Sequence, residues 1–227
     1  METKGKNAQL KIEKWLQNEA EKFIAQSALM INGVEVVPKE IEVYFFKEDE
    51  FEDDSVHRNV LQQMNKNHLY VHRNGLKETD SYKGGNRPGM DFVISDEKDV
   101  FYSYLIRSAV INTGEPIIGP NKVLKKVLEL SGLKEYQLEQ ELVKVKTHDN
   151  SGIALFSKRI NLSKGFVNSE LRVVICDNMF RGAKYPGKEE MVIDYLSNTP
   201  GKMTYEESLS FANTYLGYVP SRIRNNN

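Results

Sequence analysis

A single cysteine, Cys176, among 227 residues excludes an intramolecular disulfide. The run VVICD around it predicts a buried strand in which the thiol packs as a small hydrophobe, in a reducing, cytoplasmic setting. Charge of one sign is also missing: 31 Lys+Arg stand against 32 Asp+Glu, a net charge of -1. A surface so balanced exerts no overall pull on phosphate backbones or anionic membranes, so any affinity for nucleic acid must come from a local patch. No stretch approaches the roughly 20 apolar residues of a membrane span, and METKGKNAQLKIEKW has no apolar run ahead of a small-residue cleavage site. The expectation is a protein neither secreted nor inserted in a membrane. Repeats, low-complexity blocks and long linkers are absent too. What is present, 40% hydrophobic and 28% charged residues, is enough to close one core.

Hydrophobic spacing sets out the elements. Ile12, Trp15, Leu16, Ala20, Phe23 and Ile24 recur at three and four residues, which predicts an amphipathic packing helix over 7–27. Asn32-Gly33 between ALMI and VEVV predicts a two-residue hairpin with strands at 28–31 and 34–37. Pro38 is expected to close that hairpin and IEVYFF, 41–46, to form a third strand. EDEFEDD, 48–54, carries six carboxylates in seven residues and reads as a solvated loop. Further strands are expected at 68–72, 90–94, 100–107, 153–158 and 171–176. Pro120 and Gly132 bracket a helix, a shorter one follows at 135–142, and Thr204 with Glu207 forms a capping pattern for a helix over 205–216. The tail SRIRNNN is expected to fray. Strands come in clusters rather than alternating with helices, which predicts a single α+β domain: a packing helix at 7–27, a core at 28–176 with a curved, mostly antiparallel β-sheet, and a C-terminal helical extension at 177–227.

Three constellations carry chemistry. Strand alternation puts Glu42, Tyr44 and Phe46 on one face and Ile41, Val43 and Phe45 on the other. A carboxylate on an aromatic face is costly to bury ionised, and such desolvation tunes a general base or acid; the alternative is a strand-edge Glu in water. Tyr70 and His72 share a strand face, and imidazole and phenol rings are platforms for nucleobases. His68 and His72 sit about 13 Å apart along an extended strand, too far for one metal, and Asp53 or Asp54 with His57 lacks a second ligand motif, so no metal or other cofactor is expected. Finally, residues 58–89 hold Arg58, Lys66, Arg73, Lys77, Lys83 and Arg87 against Glu78 and Asp80. Within them SYKGGNRPG suits either a loop that approaches phosphate closely or an ordinary solvated connection.

Taken in order, these pieces resemble the alkyladenine (methylpurine) DNA glycosylase family. Ile41-Glu42-Val43-Tyr44 is similar to that family's Glu-x-Tyr strand, and His57 lies where the family has a second base-stacking residue. LYVH at 69–72 resembles its Tyr-Val-Tyr strand, MDF at 90–92 its Met-Asn strand and YLIRS at 104–108 its Leu-Leu-Arg-Ala strand. Ile118-Gly119-Pro120-Asn121-Lys122-Val123-Leu124 resembles its Gly-Pro-x-Lys-Leu helix start, and Arg159-Ile160 with Leu171-Arg172-Val173 its last strands. The likeness spans about residues 30–176 and is nearer to a divergent branch of that superfamily. It implies that Glu42 activates water for attack on the anomeric carbon of a flipped nucleotide, with Tyr44, His57, Tyr70 and His72 about the base and Asp91 gating the pocket. It further implies that Arg107 and Lys122 contact sugar or phosphate; Arg73, Lys83 and Arg87 are candidates for binding phosphate or nucleic acid on the charge of the basic segment alone.

The leading expectation is therefore hydrolysis of the N-glycosidic bond of an alkylated or deaminated purine in damaged duplex DNA. A non-catalytic nucleotide-binding or nucleic-acid-binding module on the same scaffold would keep the pocket without needing the carboxylate. A nucleoside hydrolase is favoured by the near-neutral charge and by Asn74-Gly75, where the family has a bulky wedge, because a free nucleoside needs no flipping.

Overall fold

The computed structural model describes residues 2–59, 65–162, 166, 168–198 and 203–224. It is α+β, a single domain built on a curved antiparallel sheet. Helix α1 (Glu2–Gln26) leads into β1 (Ser27–Ile31) and β2 (Val34–Lys47), joined by Asn32 and Gly33 at φ 44° and 82°, the positive angles expected of that turn. After β3 (Phe51–Glu52), β4 (Leu69–Val71) and β5 (Met90–Val93), the long β6 (Val100–Ile111) runs along most of β2, from Val36 opposite Ile111 to Lys47 opposite Val100. The sheet order is β4-β5-β6-β2-β1-β8, with β8 spanning Lys144–Thr147. β10 (Arg172–Cys176) also pairs with β2 and carries β9 (Ile153–Ser157) on its outer edge, while β7 (Ile117–Ile118) pairs with β6.

One edge of β2 thus takes three short strands in succession: β1 at 34–36, β10 at 40–42 and β3 at 46–47. That arrangement corrects the expectation that Pro38 ends a strand. β2 continues through it for 14 residues, and the pairing with β6 shifts register between Pro38, Glu40 and Ile41. An irregularity there accommodates a residue that cannot donate to the ladder and lets the strand bend from one partner to the next.

The acidic segment is also more ordered than its charge suggests. Phe51 and Glu52 form β3, and the fully buried Phe51 stacks on Phe166 with centroids 4.0 Å apart. Asp53 is buried as well, against Arg159 at 2.6 Å. The apolar ring draws the segment in, and an ion pair makes the buried carboxylate tolerable.

Two cores sandwich the sheet. Leu16, Ala20 and Ile24 of α1 pack with Ile41, Val43 and Phe45, each large side chain contributing about 1.5–3 kcal/mol on burial. Trp15, although on the same predicted stripe, stays 45% exposed and meets Phe45 edge-on. The second core joins Leu155, Val174 and Cys176 to the C-terminal helices α4 (Asn178–Gly182), α5 (Lys188–Asn198) and α6 (Tyr205–Leu216). Thr204 and Glu207 cap α6 reciprocally, as their spacing predicts. The short α7 (Ser221–Arg224) buries Ile223, so that part of the tail is held; 225–227 lie outside the described residues. α2 (Pro120–Ser131) ends at Gly132, φ 69°, and α3 (Glu135–Leu138) is a single turn, shorter than expected. Cys176 is fully buried, and burial pushes its thiol well above the usual range. Among the described residues no helix is long and apolar enough to cross a membrane.

Candidate functional site

On the face of β2 opposite the α1 core lies a cavity of about 690 Å³, within the range of small-ligand sites. Strand alternation delivers Glu42 and Tyr44 to it, β5 delivers Asp91 and β6 delivers Leu105 and Arg107.

Glu42 is fully buried at the floor, but its surroundings are not only aromatic. Its Oε1 accepts from the Ile160 backbone N–H at 2.7 Å and meets Arg107 Nη1 at 3.2 Å, while its Oε2 accepts from the Tyr44 hydroxyl at 3.0 Å. Arg107 is shared: its Nε reaches Glu40 Oε1 at 3.1 Å. Glu40 in turn accepts from Arg172 Nε at 2.7 Å and from the Ser108 hydroxyl at 2.5 Å. Two carboxylates and two guanidiniums therefore offset one another under the cavity, the condition under which buried charges persist. Burial and the nearby Glu42 raise the Tyr44 phenol well above its ordinary range, so it remains a donor. The Arg159 guanidinium lies 4.9 Å from the Tyr44 ring centroid and adds a cation to that end. The next residue after Ile160, Asn161, holds φ 60°, a left-handed turn that Asn tolerates and that sits where the chain delivers its N–H to Glu42.

The opposite wall is built from imidazoles. His57 and His72 have ring centroids 5.0 Å apart. His72 Nε2 donates to Asp91 Oδ1 at 2.7 Å, and the Ser103 hydroxyl donates to Asp91 Oδ2 at 2.9 Å. Burial works to raise the Asp91 carboxyl, but His72, His57 and Ser103 together hold it below the usual value. His57 lies 2.8 Å from the Tyr70 hydroxyl through Nδ1 and 2.9 Å from Lys83 Nζ through Nε2. Since the lysine can only donate, Nε2 accepts and Nδ1–H donates to Tyr70. Burial first, then His72 and Lys83, push His57 down to about 4, so the ring is neutral at pH 7.

Backbone pairing explains how distant residues meet here. Residues 72–89 leave the sheet and fold back on themselves: Arg73 bridges Tyr82, the Lys83 N–H donates to the His72 carbonyl at 2.8 Å, and the His72 N–H donates to the Gly89 carbonyl at 3.0 Å. A Cβ on Gly89 would fall 2.9 Å from Leu105 Cδ1 and 3.3 Å from the His72 ring, so a larger residue would have to displace the Leu105 side chain and press on the imidazole.

The cavity gathers eight of the eleven residues expected at the site: Glu42, Tyr44, His57, His72, Lys83, Arg87, Asp91 and Arg107. Tyr70 stands behind His57 and supports it instead of lining the wall. Asp91 is buried in the cavity wall and accepts from the His72 ring. Arg107 lines the cavity with its Nε on Glu40 and its Nη1 on Glu42. Arg73 is turned away, buried against Glu139 at 2.6 Å and lying 4.1 Å from the Tyr82 ring centroid, because a cation so enclosed needs a carboxylate partner. Lys122 is exposed on α2 and the cavity is met there by Pro120. Residues not among the eleven are Glu40, Arg172, Ser103 and the Ile160 N–H, together with Asp54, weighed from the sequence only as a metal ligand beside His57. Glu40 shares Glu42's alternation and was readable in principle; the others are brought in by pairing between segments far apart in sequence. No family model matches the chain, and no curated protein matches it significantly.

Proposed function

We propose that the cavity hydrolyses the N-glycosidic bond of a modified purine nucleotide, in keeping with the resemblance to the alkyladenine DNA glycosylase family. The observation that carries this reading is Glu42: a buried carboxylate at the floor of a nucleotide-sized cavity, aimed by Arg107, Ile160 and Tyr44 and faced by imidazoles. Glu42 Oε2, bonded only by the Tyr44 hydroxyl among the contacts just given, is the oxygen that takes a proton from water. The hydroxide equivalent adds to the anomeric carbon, and the C1′–N electron pair departs with the base. The Tyr44, His57 and His72 rings replace part of the stacking a flipped base loses, a loss of a few kcal/mol. Lys83 and Arg87 supply positive charge at the cavity for a phosphate.

One feature favours a free nucleoside as the substrate over duplex DNA. Asp54 and Ser55, from the acidic segment, line the same cavity, and Asp54 places a negative charge where a phosphate backbone would have to pass. Base release from duplexes carrying alkylated or deaminated purines, measured beside the matching nucleosides, decides between the two. Loss of about 10²-fold or more in Glu42→Gln on either substrate supports the hydrolase. Tight nucleotide binding without release by the wild type identifies a binding module instead.

A further inference from the structure

Lys83 is the one lysine lining the cavity among the described residues. Its position is fixed by the backbone, since its own N–H is held by the His72 carbonyl at 2.8 Å. Its Nζ lies 2.9 Å from His57 Nε2. Burial lowers its amine from the ordinary lysine value, Arg87 adds to that effect, and Asp91 opposes it. The resting ammonium donates to His57 Nε2; on losing a proton to solvent the amine keeps an N–H for that acceptor and frees its lone pair. Lys83 is only partly buried where it lines the cavity, and Gly84 and Gly85 beyond it are exposed. A desolvated lysine in a cavity beside a neutral imidazole is the arrangement that makes a lysine a nucleophile toward carbonyl carbon.

We propose that Lys83 forms an imine with the aldehyde of a ring-opened deoxyribose, so that the cavity cleaves the strand at abasic sugars. This rests on the DNA reading of the cavity rather than on the nucleoside one. Nζ attacks the C1′ aldehyde, a C–N bond forms, and the carbonyl oxygen leaves as water with one proton from the amine and one from solvent, giving an iminium. His57 Nε2, the neutral nitrogen beside the amine, takes the C2′ proton. The C–H electrons pass into the iminium and expel the 3′ phosphate by cleavage of the C3′–O bond. Water then hydrolyses the imine, releasing the unsaturated aldehyde and restoring Lys83. Nothing is oxidised or reduced overall.

The test uses duplex DNA with one pre-formed abasic site, incubated with the full chain and sodium cyanoborohydride, which reduces an imine to a stable amine. The expected result is a covalent protein–DNA adduct mapped to residue 83, lost in Lys83→Arg, which keeps the charge but cannot form the imine, and retained in Lys77→Ala on the exposed part of the same loop. Thermal unfolding of Lys83→Arg confirms that it folds. No adduct with the wild type, an adduct unchanged in Lys83→Arg, or an adduct mapped to another lysine would overturn the proposal. Because the abasic site is pre-formed, base release is not required. Release from a modified duplex with no adduct removes the Lys83 proposal alone, whereas an adduct at Lys83 with no release from any purine substrate supports Lys83 and removes the hydrolase reading.

Discussion

The two faces of β2 follow different rules. Ile41, Val43 and Phe45 point into an apolar core beside α1, where stability comes from area removed from water and any hydrophobe of similar size is tolerated. The residues that alternate with them, Glu40, Glu42 and Tyr44, point the other way, into a set of charges whose partners are individual atoms of Arg107, Arg172, Ser108 and Ile160. The first face depends on volume and the second on geometry. A change that one face absorbs should damage the other.

Removing a charge from the polar face should have the largest effect on stability. Arg172→Met leaves Glu40 buried with only Arg107 and Ser108, and should lower unfolding free energy by about 3–5 kcal/mol in a denaturant titration. Adding Glu40→Gln to it should recover part of the loss; if the double variant is weaker still by an additive amount, the charges do not act as a set. On the apolar face, Ile41→Ala should cost about 3 kcal/mol, through lost transfer energy and the cavity it leaves, and should leave the pH dependence of stability unchanged.

The polar face should also respond to pH where the apolar one does not. His57 binds a proton below about 4 in the folded protein against an ordinary value of 6.5. The unfolded chain therefore holds more protons between these values, so this group lowers stability as pH falls from 6.5 towards 4 and has no effect above 6.5. Allowing for its partial exposure, the change should be about 2 kcal/mol, and His57→Gln should flatten it. The smallest effect is expected from Tyr44→Phe, which removes one donor from Glu42 Oε2 where cavity water can replace it, at about 1 kcal/mol or less in thermal unfolding.

The same contrast explains what the amino-acid sequence conveys. The apolar face is written in local periodicity: α1, the hairpin at Asn32-Gly33, the alternation of β2 and the cap at Thr204 all follow from neighbours two to four residues apart. Pro38 and the acidic segment misled because each local signal was overridden by tertiary pairing, a register shift in one case and the Phe51–Phe166 stack in the other. Most of the candidate site residues were legible as types on a strand face. Their roles were not, because Arg107, Asp91 and Arg73 are each defined by a partner more than a dozen residues away. A basic loop reads as a phosphate site until Glu139 is found to claim Arg73.

The proposed hydrolysis requires Glu42 to act through position rather than bulk, and neighbouring substitutions on β2 test that directly. Single-turnover base release and thermal unfolding should be measured together for wild type, Glu42→Gln and Ile41→Val. The predicted result is a rate lower by about 10²-fold or more in Glu42→Gln with the fold retained, and in Ile41→Val an unchanged rate with stability lower by about 1 kcal/mol. Base release that survives in Glu42→Gln, or that falls equally in both variants, would contradict it.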